Sequence, residues 1–303
     1  MHIKKKHKVY LCQVNNKYGN NVFLPYSVGL LQAFCQTDPD ITNNFEFGDF
    51  IYLREDPVKV ARKLDNPSVI GISCYIWNWE YCKALAQAVK SQYPECLIVF
   101  GGTQAPLRSE GFFVGHPYVD LIVHYEGELV FADILKETLS ARPDFTKIAG
   151  ISVRVEGNQT FKTLPRERIL DLTKLPSPYL TGVFDDIMKH SYSFHGSQET
   201  HRGCPYACTF CDWGGAIFAK VRAFETERLV QEFEWFGRYK VELLYNCDAN
   251  YGLLPRDHEL TVRMAETKTK YGYPQKFRAA YAKNSNEAVF AIAKVLNDAG
   301  MNK

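Results

Sequence analysis

The chain has 303 residues, 46% hydrophobic and 23% charged, with a formal net charge of +2. These are the proportions of a globular protein with room for two domains, and the near-neutral charge gives no reason to expect steering toward nucleic acid or an anionic membrane. No apolar run approaches the ~18 residues that span a bilayer, and residues 1–30 lack a signal-peptide pattern. The basic run Lys4-Lys5-Lys6-His7-Lys8 reads as a solvated tip. Cys12, Cys35, Cys74, Cys82, Cys96 and Cys247 are scattered, several in apolar runs, and read as reduced core thiols rather than a disulfide framework. A reducing cytoplasmic setting is expected, and there Asn158-Gln159-Thr160 carries no weight as a glycosylation signal.

Residues 8–140 alternate strand and helix patterns, which predicts a parallel sheet covered on both faces. Strands are expected at Lys8–Val14, Phe47–Leu53, Val69–Tyr75, Cys96–Phe100 and Leu121–His124. Helices are expected at Pro25–Cys35, Asp56–Leu64, Trp79–Tyr93 and Glu128–Leu139. Ligands of such sheets bind beyond the carboxyl ends of the strands. The loops in that position are Asn15–Leu24, Tyr75–Asn78, Gly101–Ala105 and Tyr125–Glu128. Gly101 and Gly102 would let backbone approach a bulky ligand, although a tight strand-to-helix turn needs glycine as well.

Residues 141–195 read as a linker with a small hairpin at Ile151–Val155 and Gln159–Thr163, followed by the proline-fixed stretch Leu175–Tyr179. From residue 196 the strand–helix pattern returns. Helices are expected at Glu225–Tyr239, Asp257–Tyr271 and Glu287–Asp298, with strands at Val241–Cys247 and Lys276–Ala282 after a first strand from Ser197. These read as three βα units of a barrel, whose functional residues belong at the carboxyl ends of the strands. A fourth strand is due where the sequence given stops, so further sequence is expected.

The stretch Arg202-Gly203-Cys204-Pro205-Tyr206-Ala207-Cys208-Thr209-Phe210-Cys211 carries the most chemistry. Three cysteines at C-x3-C-x2-C spacing can converge from one loop on a [4Fe–4S] cluster, which is normally held by four thiolates. One iron is then left open to a small molecule. A zinc site completed by His201 or Cys247 is an alternative, as are unrelated buried thiols. The absence of a second C-x2-C pair and the Arg-Gly, Pro and aromatic flanks favour the cluster.

With these residues the stretch Arg202–Cys211 resembles the cluster loop of radical S-adenosylmethionine (SAM) enzymes. The resemblance implies that Cys204, Cys208 and Cys211 hold the cluster and that Phe210 lies near the adenine of SAM. It implies reductive cleavage of SAM to a 5′-deoxyadenosyl radical. The end of the second barrel strand, Cys247-Asp248-Ala249-Asn250, falls where the family contacts the SAM amino group, so Asp248 and Asn250 are candidate SAM contacts. Trp213, Gly214 and Gly215 are placed to shield the cluster, and Trp213 reads equally as a core residue. In the first 140 residues, Ser73 and Tyr75, then Gly101-Gly102-Thr103, then Glu126-Gly127 resemble the cobalamin-binding domain fused to many radical SAM enzymes. The loop Val14–Leu24 lacks the cobalt-ligating histidine of the methionine-synthase type.

Together these imply an α/β protein with a Rossmann-like, doubly wound parallel sheet (1–140) followed by the first units of a partial (β/α)6 barrel (196–303). The implied activity is a cobalamin-dependent radical SAM methyltransferase acting on an unactivated carbon of a small-molecule or peptide substrate. Its reductant would be a donor such as flavodoxin or ferredoxin. The alternatives are a cobalamin-independent radical SAM enzyme whose first domain binds substrate, or an inactive cluster-binding fragment.

Overall fold

The computed structural model describes residues 6–209, 211 and 219–302. Phe210, Trp213, Gly214 and Gly215 therefore lie outside the described residues. The chain divides into two compact units, residues 6–16 with 27–169 and residues 17–26 with 170–302.

The first half runs β1 (His7–Cys12), β2 (Asn21–Phe23), α1 (Tyr26–Cys35), α2 (Pro39–Asn44), β3 (Phe45–Phe47), α3 (Pro57–Lys63) and β4 (Pro67–Ser73). It continues α4 (Trp79–Gln92), β5 (Leu97–Gly101), α5 (Phe112–Gly115), β6 (Leu121–Val123), α6 (Glu128–Glu137), β7 (Ile151–Val155) and β8 (Gln159–Lys162). All of these strands but β2 form one sheet in the order β3-β1-β4-β5-β6-β7-β8. The pairs from β3 to β6 are parallel, and β7 and β8 add antiparallel to one edge.

Side-chain alternation along each strand splits the interior in two. Val9, Leu11, Val69, Val99 and Leu121 enter one core with Val28 of α1 and Phe131 of α6. Tyr10, Cys12, Ile70, Ile72, Ile98 and Phe100 enter the other with Val60 of α3 and Leu85 of α4. Both faces of the sheet are covered, which makes it doubly wound, as the sequence predicts. Helix starts follow local chemistry: Asp56 accepts from Lys59 N at 2.9 Å ahead of Pro57. Asp38 does the same for the six-residue α2, accepting from Asp40 N at 2.9 Å, a helix too short for periodicity to reveal.

Three features depart from expectation. The second strand lies at Phe45–Phe47 rather than Phe47–Leu53, because the ladder breaks after Phe47 and resumes only as a bridge between Cys12 and Ile51. The hairpin β7–β8 belongs to the first sheet instead of a linker, since β7 pairs with β6. Residues 17–26, expected as part of the loop Asn15–Leu24 and the start of the helix Pro25–Cys35 in the first domain, belong to the second unit, where β2 pairs with a strand far along the chain.

The second unit contains β9 (Ser193–Gln198), β10 (His201–Cys204), β11 (Ala219–Ala223) and α7 (Thr226–Arg238). β12 (Leu243–Asn246), α8 (Asp257–Tyr271), β13 (Lys276–Arg278) and α9 (Asn286–Asp298) follow. Its parallel sheet has the order β13-β12-β9-β2, so three βα units form a partial barrel wall with β2 as an added edge. Phe194, Phe236, Leu244, Leu260, Phe277 and Ile292 are buried in it. Tyr179, at the end of the proline stretch, is anchored there, with its ring 4.9 Å from that of Trp235 and 4.6 Å from that of Phe236.

Gly71 of β4 gives a test of this packing. A Cβ at Gly71 would lie 2.8 Å from Leu11 Cδ2 and 3.0 Å from a ring carbon of Phe131. Gly71→Ala is expected to cost about 1–3 kcal/mol in denaturant unfolding. A Cβ at Gly115 meets nothing within 4 Å, and Gly115→Ala should stay within about 0.5 kcal/mol of wild type.

Candidate functional site

In the first unit the chain moves from β1 outward to β3 on one side and to β4 on the other. The strand order therefore reverses between β1 and β4, the point beyond whose carboxyl ends sheets of this kind bind ligands. Polar side chains staple that point. Gln13 Oε1 accepts from Ser27 N at 2.9 Å and from Ser27 Oγ at 2.8 Å, and Ser27 Oγ lies 3.0 Å from Ser73 Oγ. The buried Asn78 donates from Nδ2 to Val14 O and Ser73 O, both at 3.0 Å, and accepts from Tyr75 N at 2.7 Å. The loop so held presents Tyr75 and Trp77 stacked at 4.6 Å with an interplanar angle of 5°. Trp77 also donates to Asn15 Oδ1 at 3.1 Å. Ile76 is 78% exposed, so the crevice carries a flat aromatic pair and an open apolar rim.

The two glycines have separate reasons. Gly102 has φ +91, and a Cβ there would sit 2.5 Å from Cys74 O and 2.9 Å from Cys74 N. Its close approach is therefore to the end of β4, which explains the glycine without a ligand. Gly101 has ordinary room, its Cβ position lying 3.8 Å from Val123 Cβ. Thr103 is exposed beside them. Glu126 and Gly127 lie at the start of α6, where Glu126 Oε2 accepts from Ile169 N at 2.9 Å. His124, at the same strand end, lies 2.8 Å from Ser152 Oγ, and Ser152 Oγ lies 2.7 Å from Ser109 Oγ. Burial, with Lys162 nearby, holds the imidazole pKa down at about 4, so His124 is neutral at pH 7.

In the second unit Cys204 is carried at the end of the first strand of a two-stranded ribbon, not directly on the end of a barrel strand, and Cys208 and Cys211 follow it before β11. β9 ends at Gln198, and β10 then pairs antiparallel with β11. The register shifts between Arg202 and Cys204, where Gly203 adopts φ +104, a bulge that only glycine takes without strain. Cys204 is buried, Cys208 and Cys211 are partly exposed, and Cys211 N donates to Cys208 O at 3.1 Å. Among the described residues, no three His, Cys, Asp or Glu side chains gather closely enough to share one metal ion.

Asp248 ties this ribbon to the end of β12. The carboxylate is 1% exposed. Oδ1 accepts from Thr200 N at 2.8 Å and His201 N at 3.1 Å. Oδ2 accepts from Asn246 Nδ2 at 2.9 Å and from the Thr200 hydroxyl, and lies 3.3 Å from His201 Nδ1. A carboxylate offers roughly four lone-pair sites, and these groups occupy them. The contact expected from Asp248 to the SAM ammonium thus finds no free acceptor. Asn250, also expected against SAM, points its Nδ2 at Cys204 Sγ, 3.1 Å away. Arg256 closes the far side, donating to Thr200 O at 2.8 Å and to Phe224 O.

A B12-binding-domain family model matches residues 31–135. Two curated relatives cover nearly all of the chain. The 2-(S-pantetheinyl)-carbapenam-3-carboxylate methyltransferase of Streptantibioticus cattleyicolor is 41% identical over 92% of this chain and 41% of its own length. The cobalamin-dependent radical SAM methyltransferase TokK of Streptomyces tokunonensis is 40% identical over 97% of this chain and 43% of its own. The solved structure of the cobalamin-dependent SAM radical enzyme OxsB with aqua-cobalamin and SAM has the same fold over 98% of this chain, with TM-score 0.68 at 19% identity and 43% of that chain covered. The fold and the cysteine ribbon together define an α/β protein with a Rossmann-like domain and a partial radical SAM barrel. The chain belongs to the B12-binding-domain-containing radical SAM family. It spans about two-fifths of the length of the curated relatives it matches.

The expected ligand loop Tyr75–Asn78 contains Trp77 and Asn78, but sequence reasoning gave neither a role of its own, and it missed Gln13 and Ser27 beside them and Thr200, Asn246 and Arg256 around Asp248. Asn78 alone left a signal, a polar residue immediately before α4.

The Asp248–His201 pair yields a pH prediction. Burial draws the His201 pKa down, but the hydrogen bond and charge of Asp248 prevail and raise it above 6.5. A raised folded-state pKa stabilises fully below the unfolded value and is lost as pH rises through the folded one. Asp248→Asn should cost about 3–5 kcal/mol at pH 6. That deficit should shrink as pH rises past 6.5. A deficit independent of pH in urea unfolding would contradict the pair.

Proposed function

We propose that the protein is a cobalamin-dependent radical SAM methyltransferase that replaces an unactivated C–H hydrogen of a small molecule with a methyl group. The observation that carries the reading is the ribbon loop with Cys204 buried beside an amide donor and Cys208 and Cys211 partly exposed, in a chain whose first unit matches the B12-binding domain. Three thiols and an N–H aimed at one of them fit an iron–sulfur cluster, whose sulfurs accept hydrogen bonds. Cys204, Cys208 and Cys211 would hold it, and when bound it supplies the electron for reductive cleavage of SAM. A flat aromatic pair, half-buried Tyr75 with exposed Trp77, beside a polar strand crossing fits one face of a corrin; Ser73, Tyr75, Thr103, Glu126 and Gly127 would line it, and cobalamin when bound supplies the methyl group.

The chain's own contribution is to position. The Gln13–Ser27–Ser73 staple fixes the ends of β1 and β4 against the start of α1, and Gly203 turns the backbone where Cys204 is buried while Cys208 and Cys211 are partly exposed. The proposed electron source is an external low-potential donor such as flavodoxin or ferredoxin. The first substrate class to test is the carbapenam carboxylate named for the S. cattleyicolor relative.

Anaerobic reconstitution should give about four irons and four sulfides per chain, lost in Cys204→Ala, Cys208→Ala or Cys211→Ala, because each thiolate is one of only three protein ligands. Corrinoid should bind stoichiometrically to wild type and to all three variants. Stoichiometric zinc without sulfide, or a protein that never takes up corrinoid, would refute the respective half of the reading.

A further inference from the structure

Asn250 lies just beyond β12, two residues past Asp248, and is 3% exposed. Its Nδ2 stands 3.1 Å from Cys204 Sγ, the most buried of the three loop cysteines. The geometry points to Asn250 as a positioning residue that sets the reduction potential of the cluster through a hydrogen bond to the Cys204 sulfur. This rests on the cluster assignment proposed above.

The amide is held from both sides. Two residues earlier, Asp248 is locked to Thr200 and His201. One residue later, Tyr251 N donates to Ala280 O at 2.8 Å, and the Tyr251 hydroxyl lies 2.9 Å from Thr261 Oγ1. Cys204 hangs from the same Asp248 through β10, so donor and sulfur are fixed by one carboxylate, and the contact does not depend on the rest of the cysteine loop. An iron-bound thiolate only accepts, so Nδ2 must face it; the amide oxygen would be repelled. Both side chains are buried, and burial strengthens such a hydrogen bond. Hydrogen bonds to cluster sulfurs stabilise the more negative, reduced state and raise the potential. Asn250 thereby eases delivery of the electron by the external donor.

The test is a redox titration of the anaerobically reconstituted protein, following the reduced-cluster electron paramagnetic resonance signal in wild type, N250A, N250D and N250Q. All four should keep their iron and sulfide. At the wild-type midpoint potential, N250A should show a reduced-to-oxidised ratio lower by about tenfold, equal to about 59 mV for one electron. N250D, which keeps the shape but replaces the donor with an anion, should fall further. N250Q, which retains an N–H, should recover part of the shift. N250D covers the case in which alanine disturbs folding, checked by circular dichroism. Unchanged midpoints in N250A and N250D with the cluster intact would overturn the role. So would loss of the cluster from both folded variants, which would make Asn250 an assembly residue. A wild-type protein that takes up no cluster would instead refute the proposed function.

Discussion

The second unit is organised around one buried carboxylate. Asp248 sits where β12 ends, and the chain brings to it two successive backbone N–H groups, a hydroxyl, an amide and an imidazole. A charge this deep is tolerated only when its lone pairs are satisfied. The requirement works in reverse as a constraint: the corner between β9 and β10 has one place to go. That corner carries the cysteine ribbon, so the position of Cys204 follows from the charge of Asp248. Arg256 reinforces the corner by holding the Thr200 carbonyl from the other side.

The first unit uses neutral groups for the equivalent task. Gln13, Ser27, Ser73 and Asn78 join the ends of β1 and β4 through amide and hydroxyl contacts. Above these uncharged staples the loop exposes Ile76 and Trp77 with Tyr75 half-buried against the Trp77 ring, which suits a large apolar ligand with polar edges. His124, kept neutral by burial, extends the same economy of charge to the end of β6. The antiparallel hairpin covers the edge of the sheet there, its Ser152 bonding to that histidine.

The parallel sheet and its helices were legible because their signals are local and repetitive: Val9, Leu11, Val69 and Val99 alternate with Tyr10, Ile70 and Ile98 as period two demands. The cysteine loop was legible because its spacing is specific. The roles of Asp248 and Asn250 were not, since both depend on partners about 46 to 48 residues away in sequence. A polar residue at the end of a barrel strand looks the same whether it meets a ligand or a neighbouring corner. Gly102 shows the same limit: a glycine that admits the Cys74 carbonyl and one that admits a cofactor are one letter. The crossing of residues 17–26 into the second unit left no local trace, because β2 is three residues long and its partner β9 lies about 170 residues onward.

The most direct test of this account is an anaerobic structure of the cluster-loaded protein with SAM bound. In it Asp248 should keep Thr200, His201 and Asn246 as its partners and make no contact with the SAM amino group. An Asp248 oxygen within hydrogen-bond distance of that amino group, with the Thr200 corner released, would contradict it.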